Sequence, residues 1–188
     1  MIFNWHGNLE GKHAFLSASK YHWTNYDEEK LISVYRNFLA VQRGTELHDF
    51  ASKAIRLHIR LPKTQSTLNN YVNDALGFRM TPEVPLYFSE NCFGTCDAIS
   101  FNEKQKILRI HDLKTGDVPA NMQQLRIYAA LFCHEYKTDP RTIRIILRIY
   151  HSTDILEEEA DPEEIGRIMA QIVQFDSILE RLKTEEAF

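Results

Sequence analysis

The sequence predicts an α/β domain with a central mixed β-sheet. Three observations lead to this prediction: helical apolar spacing up to residue 77, strand-like alternation from 80 to 116, and a helix, a strand and a helix after that. With 188 residues, the chain is long enough for one domain with a substantial core and short for two. We therefore expect a single domain over residues 1–188.

Three helices are predicted in the N-terminal part of the chain. Apolar residues at helical spacing follow the acidic turn Asp27-Glu28-Glu29 and predict a helix over 26–41, and a second helix is predicted from Gly44. His48 lies at the edge of the buried stripe of that second helix. A third helix is predicted over 66–77. The expected buried residues of the first two helices are Leu31, Ile32, Tyr35, Phe38 and Leu39, and Leu47, Phe50, Ala51, Ala54 and Ile55.

Three strands are predicted in the next segment. Pro82 and Pro85 cannot donate ladder hydrogen bonds, so the strand over 80–89 is expected at an edge of the sheet. A second strand contains Asp97, and a third covers 107–116. The short polar turn between these two strands is typical of a β-hairpin.

Two acidic residues and a lysine are expected to meet on this hairpin. Strand alternation puts Asp112 and Lys114 on one face, and the hairpin brings Asp97 alongside Asp112. Adjacent carboxylates resist ionisation unless a cation lies between them, and their oxygen atoms suit magnesium or manganese. The pattern therefore indicates a divalent metal site. The alternative is a surface hairpin on which Asp112 and Lys114 pair in solvent.

The last third of the chain is predicted to form a helix, a strand and a helix. A helix over 120–136 stacks Gln124 and Tyr128, four residues apart, on one flank. The segment 141–151 alternates as a strand with arginines on one face, and Asp161 can cap the final helix. The expected buried face of that helix comprises Ile165, Ile168, Met169, Ile172, Leu179 and Leu182.

Five short elements occur in a characteristic order. They are Leu16-Ser17-Ala18-Ser19, Gly44-Thr45-Glu46-Leu47-His48, Gly94-Thr95-Cys96-Asp97, Asp112-Leu113-Lys114-Thr115-Gly116, and Gln124 followed four residues later by Tyr128. This order resembles the PD-(D/E)xK nuclease superfamily, and within it the RecB-type exonuclease domain. The four elements from Gly44 to Tyr128, in this order, are far more specific than the tripeptide Asp-x-Lys alone, and the C-terminal third carries no motif.

The resemblance implies a restriction-endonuclease-like fold and metal-dependent cleavage of DNA, by an exonuclease of recombination, repair or phage replication. It implies that His48, Asp97, Asp112 and the main-chain oxygen of Leu113 bind Mg²⁺ or Mn²⁺. Lys114 would position or deprotonate the attacking water. The alternatives are an endonuclease with the same site, a nucleic-acid-binding module without turnover, and a metal hydrolase that acts on another phosphoester or an amide.

Three further residues, Glu83, Gln124 and Tyr128, are weaker candidates, and two histidines have separate interpretations. In some relatives an acidic residue before the Gly-x-x-Asp strand adds to the site, and Glu83 has that position in the chain. Gln124 and Tyr128 are expected to contact DNA from the helix flank, although solvent-facing positions are the alternative. His48 by itself would more often be a packing residue than a ligand. His111 points to the opposite strand face and is expected to pack or to support a ligand residue, but not to bind the metal itself.

Composition bears on partners and compartment. A net charge of −4 argues against nucleic-acid binding, but a divalent ion would cancel two carboxylates, and basic residues concentrate at 53–63 and 141–148. No apolar run is long enough to span a bilayer, and residues 1–6 lack signal-peptide character, so a cytoplasmic location is expected.

The cysteines and the resemblance complete the expectations about cofactors and partners. Cys92, Cys96 and Cys133 form no metal-ligand pattern and are expected as buried thiols, without an iron–sulfur cluster. The implied partners are DNA and a single-strand annealing protein or a helicase. No membrane association is expected, and the sequence does not predict an oligomeric state.

Overall fold

The computed structural model describes residues 14–116, 121–151 and 154–186. The described chain contains two compact units, one ending at Arg43 and the other beginning at Gly44. The second unit contains the sheet and all the candidate site residues. The single-domain expectation stays a prediction. The predicted character of residues 1–6 and the predicted helix start at Ala120 lie outside the described residues.

Helices precede the sheet, interrupt it once and follow it. The helices are α1 (Glu28–Arg56), α2 (Thr67–Gly77), α3 (Gln123–Glu135) and α4 (Pro162–Glu186). The strands are β1 (Thr81–Ser89), β2 (Cys92–Asn102), β3 (Ile107–Lys114), β4 (Arg144–His151) and β5 (Asp154–Glu159). Short 3₁₀ helices, Ala18–Asn25 and Pro140–Thr142, precede α1 and β4.

The five strands form one sheet in the order β1-β2-β3-β4-β5. β3 and β4 are parallel, and every other neighbouring pair is antiparallel. The parallel pair is possible because α3 lies between the two strands in the chain and returns it to the starting edge. The predicted α/β class with a mixed sheet and an edge position for β1 is therefore confirmed.

Helices cover both faces of the sheet in the second unit. α3 and α4 pack on one face, where their apolar residues form a core with residues such as Leu108, Ile110 and Leu147. α2 and the last turns of α1 pack on the other face, around Leu113 and Tyr150. Because the two faces have separate cores, the core to which a strand residue belongs shows the face of the sheet on which its side chain lies.

The predicted break between two N-terminal helices is wrong. The structure has one continuous helix, α1, over Glu28–Arg56. Between residues 41 and 44 the chain contains no proline, and Gly44 is the only weak helix former there, so nothing ends the helix.

Several residues predicted to be buried are exposed. In the first unit the whole predicted stripe, which comprises Leu31, Ile32, Tyr35, Phe38 and Leu39, is exposed. Phe50 of α1 and Leu179 and Leu182 of α4 are also exposed. Helical spacing identifies an apolar face but not whether another element covers it.

The basic face predicted for the strand over 141–151 is neutralised. Residues 140–142 form a 3₁₀ turn, so β4 begins at Arg144. Arg144 forms an ion pair with Glu159, and Arg148 forms ion pairs with Asp74 and Glu157. The carboxylates come largely from β5, an edge strand that the sequence did not predict. This face is therefore not an open cationic surface.

Two of the three cysteines are buried as predicted. Cys96 and Cys133 are buried, whereas Cys92 is partly buried, and all three are free thiols. Burial, with a smaller contribution from Asp139, raises the pKa of Cys133 to about 12, so this thiol stays protonated at neutral pH. Separately, among the described residues no helix is both long and apolar enough to cross a membrane.

Candidate functional site

Three acidic residues lie side by side across β1, β2 and β3. Pro82 faces Ala98 and Val84 faces Cys96, so Glu83 lies opposite Asp97. Ala98 faces His111, and one step further along the same register Asp97 lies opposite Asp112. The hairpin therefore brings Asp97 alongside Asp112 as the sequence predicted, and β1 adds Glu83 to the same row.

The strand β2 changes faces at this row. Cys96 belongs to the core under α3, whereas Ala98 belongs to the core under α2. Residues two apart in a regular strand share a face, so the alternation breaks at Asp97. Glu83, opposite Asp97, has a left-handed backbone with φ 52°. Non-glycine residues rarely adopt this conformation, and they concentrate at functional sites.

His48, Glu83 and Asp97 come close enough to bind one metal ion. Each offers a ligand atom, and these atoms all lie within 4.8 Å of one another. His48 Nδ1 is 3.4 Å from Asp97 Oδ2. α1 provides the imidazole, β1 and β2 the two carboxylates. All three side chains are partly buried, so solvent can reach them.

The Asp97 carboxyl group lies in an unfavourable place for a negative charge. Burial raises its pKa to about 6, and the neighbouring charges of Asp112 and Glu83 act in the same direction. His48 lowers the pKa, as does the main-chain N–H of Leu113, which donates to Asp97 Oδ2 at 2.9 Å. A divalent cation at this row would offset the same repulsion, so the donor set fits a metal ion.

Asp112 is almost fully buried and forms an ion pair with Lys114. Lys114 Nζ donates to Asp112 Oδ1 at 3.2 Å and lies 3.0 Å from Oδ2. The Oδ2 atom accepts no hydrogen bond of good angle from any described residue, despite its ion-pair distance. The lone pairs of Asp112 Oδ2 therefore accept no hydrogen bond from the described residues. Asp112 lies next to the three-residue cluster and is not one of its members.

Gln124 and Tyr128 extend a hydrogen-bond chain from Lys114. Lys114 Nζ donates to Gln124 Oε1 at 2.8 Å, and Gln124 Nε2 donates to the Tyr128 hydroxyl at 3.1 Å. Because α3 stacks residues four apart, both side chains stand on the flank of the helix beside β3. The flank predicted to contact DNA thus contacts the lysine in this structure.

Two glycines of the motifs allow close contacts within the site. A Cβ atom at Gly44 would lie 2.8 Å from Thr115 Oγ1, and one at Gly94 would lie 3.0 Å from Tyr128 Cε1. Both distances are shorter than ordinary van der Waals contact. The helix carrying His48 therefore touches the end of β3 at Gly44, and α3 touches β2 at Gly94.

His111 is a core residue, as predicted from strand alternation. It is fully buried, and its ring packs edge-on against Phe78. Its Nδ1 is 3.3 Å from the Tyr150 hydroxyl, while Nε2 has no partner among the described residues. Burial, with smaller contributions from Arg148 and Arg109, lowers the pKa of His111 to about 3. The ring is therefore neutral at pH 7.

Sequence reasoning missed Thr115 as a packing partner and left the direction of Glu83 open. The signal that could have identified Thr115 is its place in the motif, directly after Lys114. No local signal predicts the left-handed backbone of Glu83 between two prolines.

A scan against protein-family models gives no match for this chain, and a search of curated proteins gives none either. The side chains of the site are therefore the basis on which we infer its chemistry. They comprise one imidazole, three carboxylates and one ammonium group, with an amide and a phenol beyond the ammonium.

Proposed function

We propose that this chain is a divalent-metal-dependent deoxyribonuclease of the PD-(D/E)xK superfamily, RecB-type, and that it acts as an exonuclease. One observation carries the proposal: motifs far apart in the sequence meet at one row of the sheet. His48, Glu83 and Asp97 converge within 4.8 Å, and Lys114 lies 3.0 Å from Asp112 in the adjacent strand. The mixed sheet with helices on both faces suits the restriction-endonuclease-like fold that this proposal requires.

The residues present fit a hard cation such as Mg²⁺ or Mn²⁺. His48, Glu83 and Asp97 supply one nitrogen and carboxylate oxygens, and Asp112 and the main-chain oxygen of Leu113 complete the proposed ligand set. A bound cation would polarise a phosphate oxygen and make a coordinated water more acidic. A site with two or more carboxylates is acidic without its ion, which reconciles DNA cleavage with the net charge of −4.

Lys114 is the residue that would act on the attacking water. Its side chain is about one-third exposed, so water can reach it, and two partners fix the position of its ammonium: Asp112 on β3 and Gln124 on α3. A positioned ammonium can orient a water by hydrogen bonding and stabilise charge on the phosphate. We assign Gln124 and Tyr128 the task of holding Lys114 in that position, in addition to the DNA contact expected of them.

The proposal is tested by incubating end-labelled linear DNA and closed circular DNA with the protein in Mg²⁺, in Mn²⁺ and in excess EDTA. We expect release of nucleotides from linear DNA with either metal and none in EDTA. Asp97→Asn and Asp112→Asn should abolish cleavage. Asp49→Asn is the matched control, because Asp49 is exposed on α1 next to His48, and it should cleave like wild type.

The outcomes separate the alternatives. Cleavage of closed circles identifies an endonuclease with the same site. DNA binding without cleavage in either metal identifies a binding module. Full cleavage in EDTA, or by Asp97→Asn, would refute the metal-dependent mechanism.

A further inference from the structure

A cavity of about 590 Å³ lies where α1 and α2 end and β1 begins. Its charged lining residues are Arg56 and Arg79, His58 adds an imidazole, and no acidic residue of the described ranges lines it. Its volume is in the range of ligand-binding clefts. The cavity is open and cationic, in a chain whose net charge is negative.

The two arginines of this cavity have no carboxylate partner among the described residues. Carboxylates pair with the guanidinium groups of Arg126, Arg141, Arg144, Arg148 and Arg181. Other arginines also lack an ion pair among the described residues, so the distinguishing feature of Arg56 and Arg79 is that both line one cavity. Guanidinium groups bind phosphate oxygens in a bidentate manner.

The backbone brings basic residues to this cavity at some conformational cost. His58 and Arg79 are both left-handed, with φ 56° and 55°, and each follows the end of a helix. The C-terminal ends of α1 and α2 are each closed by two main-chain hydrogen bonds of the same pattern. Glycine is the usual left-handed residue in this arrangement. Lys137 after α3 has this conformation outside the cavity, and basic residues at helix C-termini also offset the helix dipole. The left-handed backbone is therefore evidence for a binding site only in combination with the two arginines that line the same cavity.

The cavity adjoins the candidate metal centre. Pro82 lines it and is followed in the chain by Glu83 of the metal-ligand row. On α1, Arg56 is eight residues after His48, which corresponds to about 12 Å at 1.5 Å per residue. Successive nucleotides of one strand rise about 3.4 Å in duplex DNA, so this distance spans three or four nucleotides.

We propose that the Arg56–Arg79 cavity binds backbone phosphates of the DNA strand, about three or four nucleotides from the linkage that occupies the metal centre. Its place on the substrate path rests on the proposed nuclease function, whereas its phosphate chemistry rests on the cavity alone. Arg56 and Arg79 donate to phosphate oxygens, and none of the described residues that line the cavity carries a carboxylate that would repel them.

The test measures binding without cleavage. Fluorescence anisotropy of a labelled oligonucleotide, in Ca²⁺ and at several salt concentrations, gives the slope of log K against log salt. Arg56→Gln and Arg79→Gln should each reduce the magnitude of the slope by about 0.7–0.9, the value for one lost phosphate contact. Arg167→Gln is the charge-matched control, because Arg167 is exposed on α4 on the opposite face of the sheet. Its slope should be that of wild type.

Arg79→Gly separates binding from structure. Glycine relieves the left-handed backbone, so we expect a melting temperature raised by about 2–4 °C together with the same loss of slope. Wild-type slopes for Arg56→Gln, Arg79→Gln and Arg79→Gly would overturn the inference, even for an active nuclease. Reduced slopes in a protein that cleaves no DNA would support the phosphate site and remove the proposed function.

Discussion

Asp97 ionises in a place where neighbouring charges and burial both oppose its negative charge. Its folded pKa of about 6 exceeds the unfolded value of about 3.9, so the folded protein binds this proton more tightly. The favourable contribution of the protonated group is complete below about pH 4 and is lost as pH rises through 6. Above that pH the ionised group opposes folding by on the order of 2–3 kcal/mol.

Asp97→Asn should therefore be more stable than wild type at pH 7 in chelator, and the difference should shrink toward pH 4. Asparagine keeps an oxygen that can accept the N–H of Leu113, so this substitution removes the charge but not the hydrogen bond. Thermal unfolding of both proteins from pH 4 to 8 gives the comparison, with Asp49→Asn as control. A variant that is less stable than wild type at pH 7 would show that the aspartate is structural.

Lys114→Ala should lower the single-turnover rate by about two to four orders of magnitude, the usual effect of losing a positioned acid–base group. Metal affinity, measured by calorimetry, should remain, because Lys114 is not a metal ligand in the proposed mechanism. Lys114→Arg keeps the charge but changes the donor geometry, and should restore little activity. Loss of metal binding in Lys114→Ala would instead indicate that the lysine only supports the strand.

Gln124→Ala should lower the single-turnover rate about tenfold to a hundredfold through the displaced Lys114 ammonium. That range corresponds to a hydrogen bond to a charged group, about 1.5–3 kcal/mol. DNA affinity in Ca²⁺ decides between the two roles of Gln124, because a pure positioning role leaves affinity unchanged and a DNA contact weakens it. The neighbouring Gln123→Ala is the control. A wild-type rate for Gln124→Ala would exclude the positioning role.

At the level of secondary-structure elements, two glycine contacts hold helices against the ends of strands. Gly44→Ala should destabilise the protein by about 1–3 kcal/mol, because its Cβ would lie 2.8 Å from Thr115 Oγ1. Thr115→Ala removes that oxygen. In the Thr115→Ala background, Gly44→Ala should become neutral or stabilising by up to about 1 kcal/mol, since alanine favours the helix. Denaturant unfolding of the four proteins gives the coupling energy, and additive effects would contradict the contact.

The elements also show which parts of the structure are local enough to predict from sequence. The hairpin with Asp97 opposite Asp112 follows from alternation and a short turn, which depend on neighbouring residues only. β5 lacks alternation, since Asp-Ile-Leu is followed by three glutamates, and it forms because β4 offers an edge and arginines. The direction of Glu83 depends on a left-handed residue that no neighbour dictates. Gln124 was predicted on the right flank, but its contact with Lys114 depends on how α3 packs beside β3.

For the whole molecule, metal binding should couple to stability. An ion that binds the folded state alone, at a concentration about 100 times its Kd, adds about 2.7 kcal/mol, which raises the melting temperature by roughly 5–11 °C in a chain of this length. Asp97→Asn should lose this gain although its metal-free form is more stable than wild type. Differential scanning with and without Mn²⁺ measures both effects, and Asp49→Asn should behave like wild type. An equal gain in Asp97→Asn would place the ion elsewhere.

The three consecutive glutamates of β5 also affect how the protein behaves at high concentration. β5 is an edge strand, so one side of its backbone has no neighbouring strand in the part of the chain that the structure describes, and such edges promote association between chains. Glu157, Glu158 and Glu159 each form an ion pair with an arginine of the same chain. The carboxylates of these three glutamates therefore lie along both faces of the edge strand. Acidification would protonate them and leave an edge with Ile155 and Leu156 exposed. Storage at acidic pH should therefore favour aggregates that contain more β-strand than the native protein. At neutral pH the charged edge strand should not associate with the edge strand of another molecule.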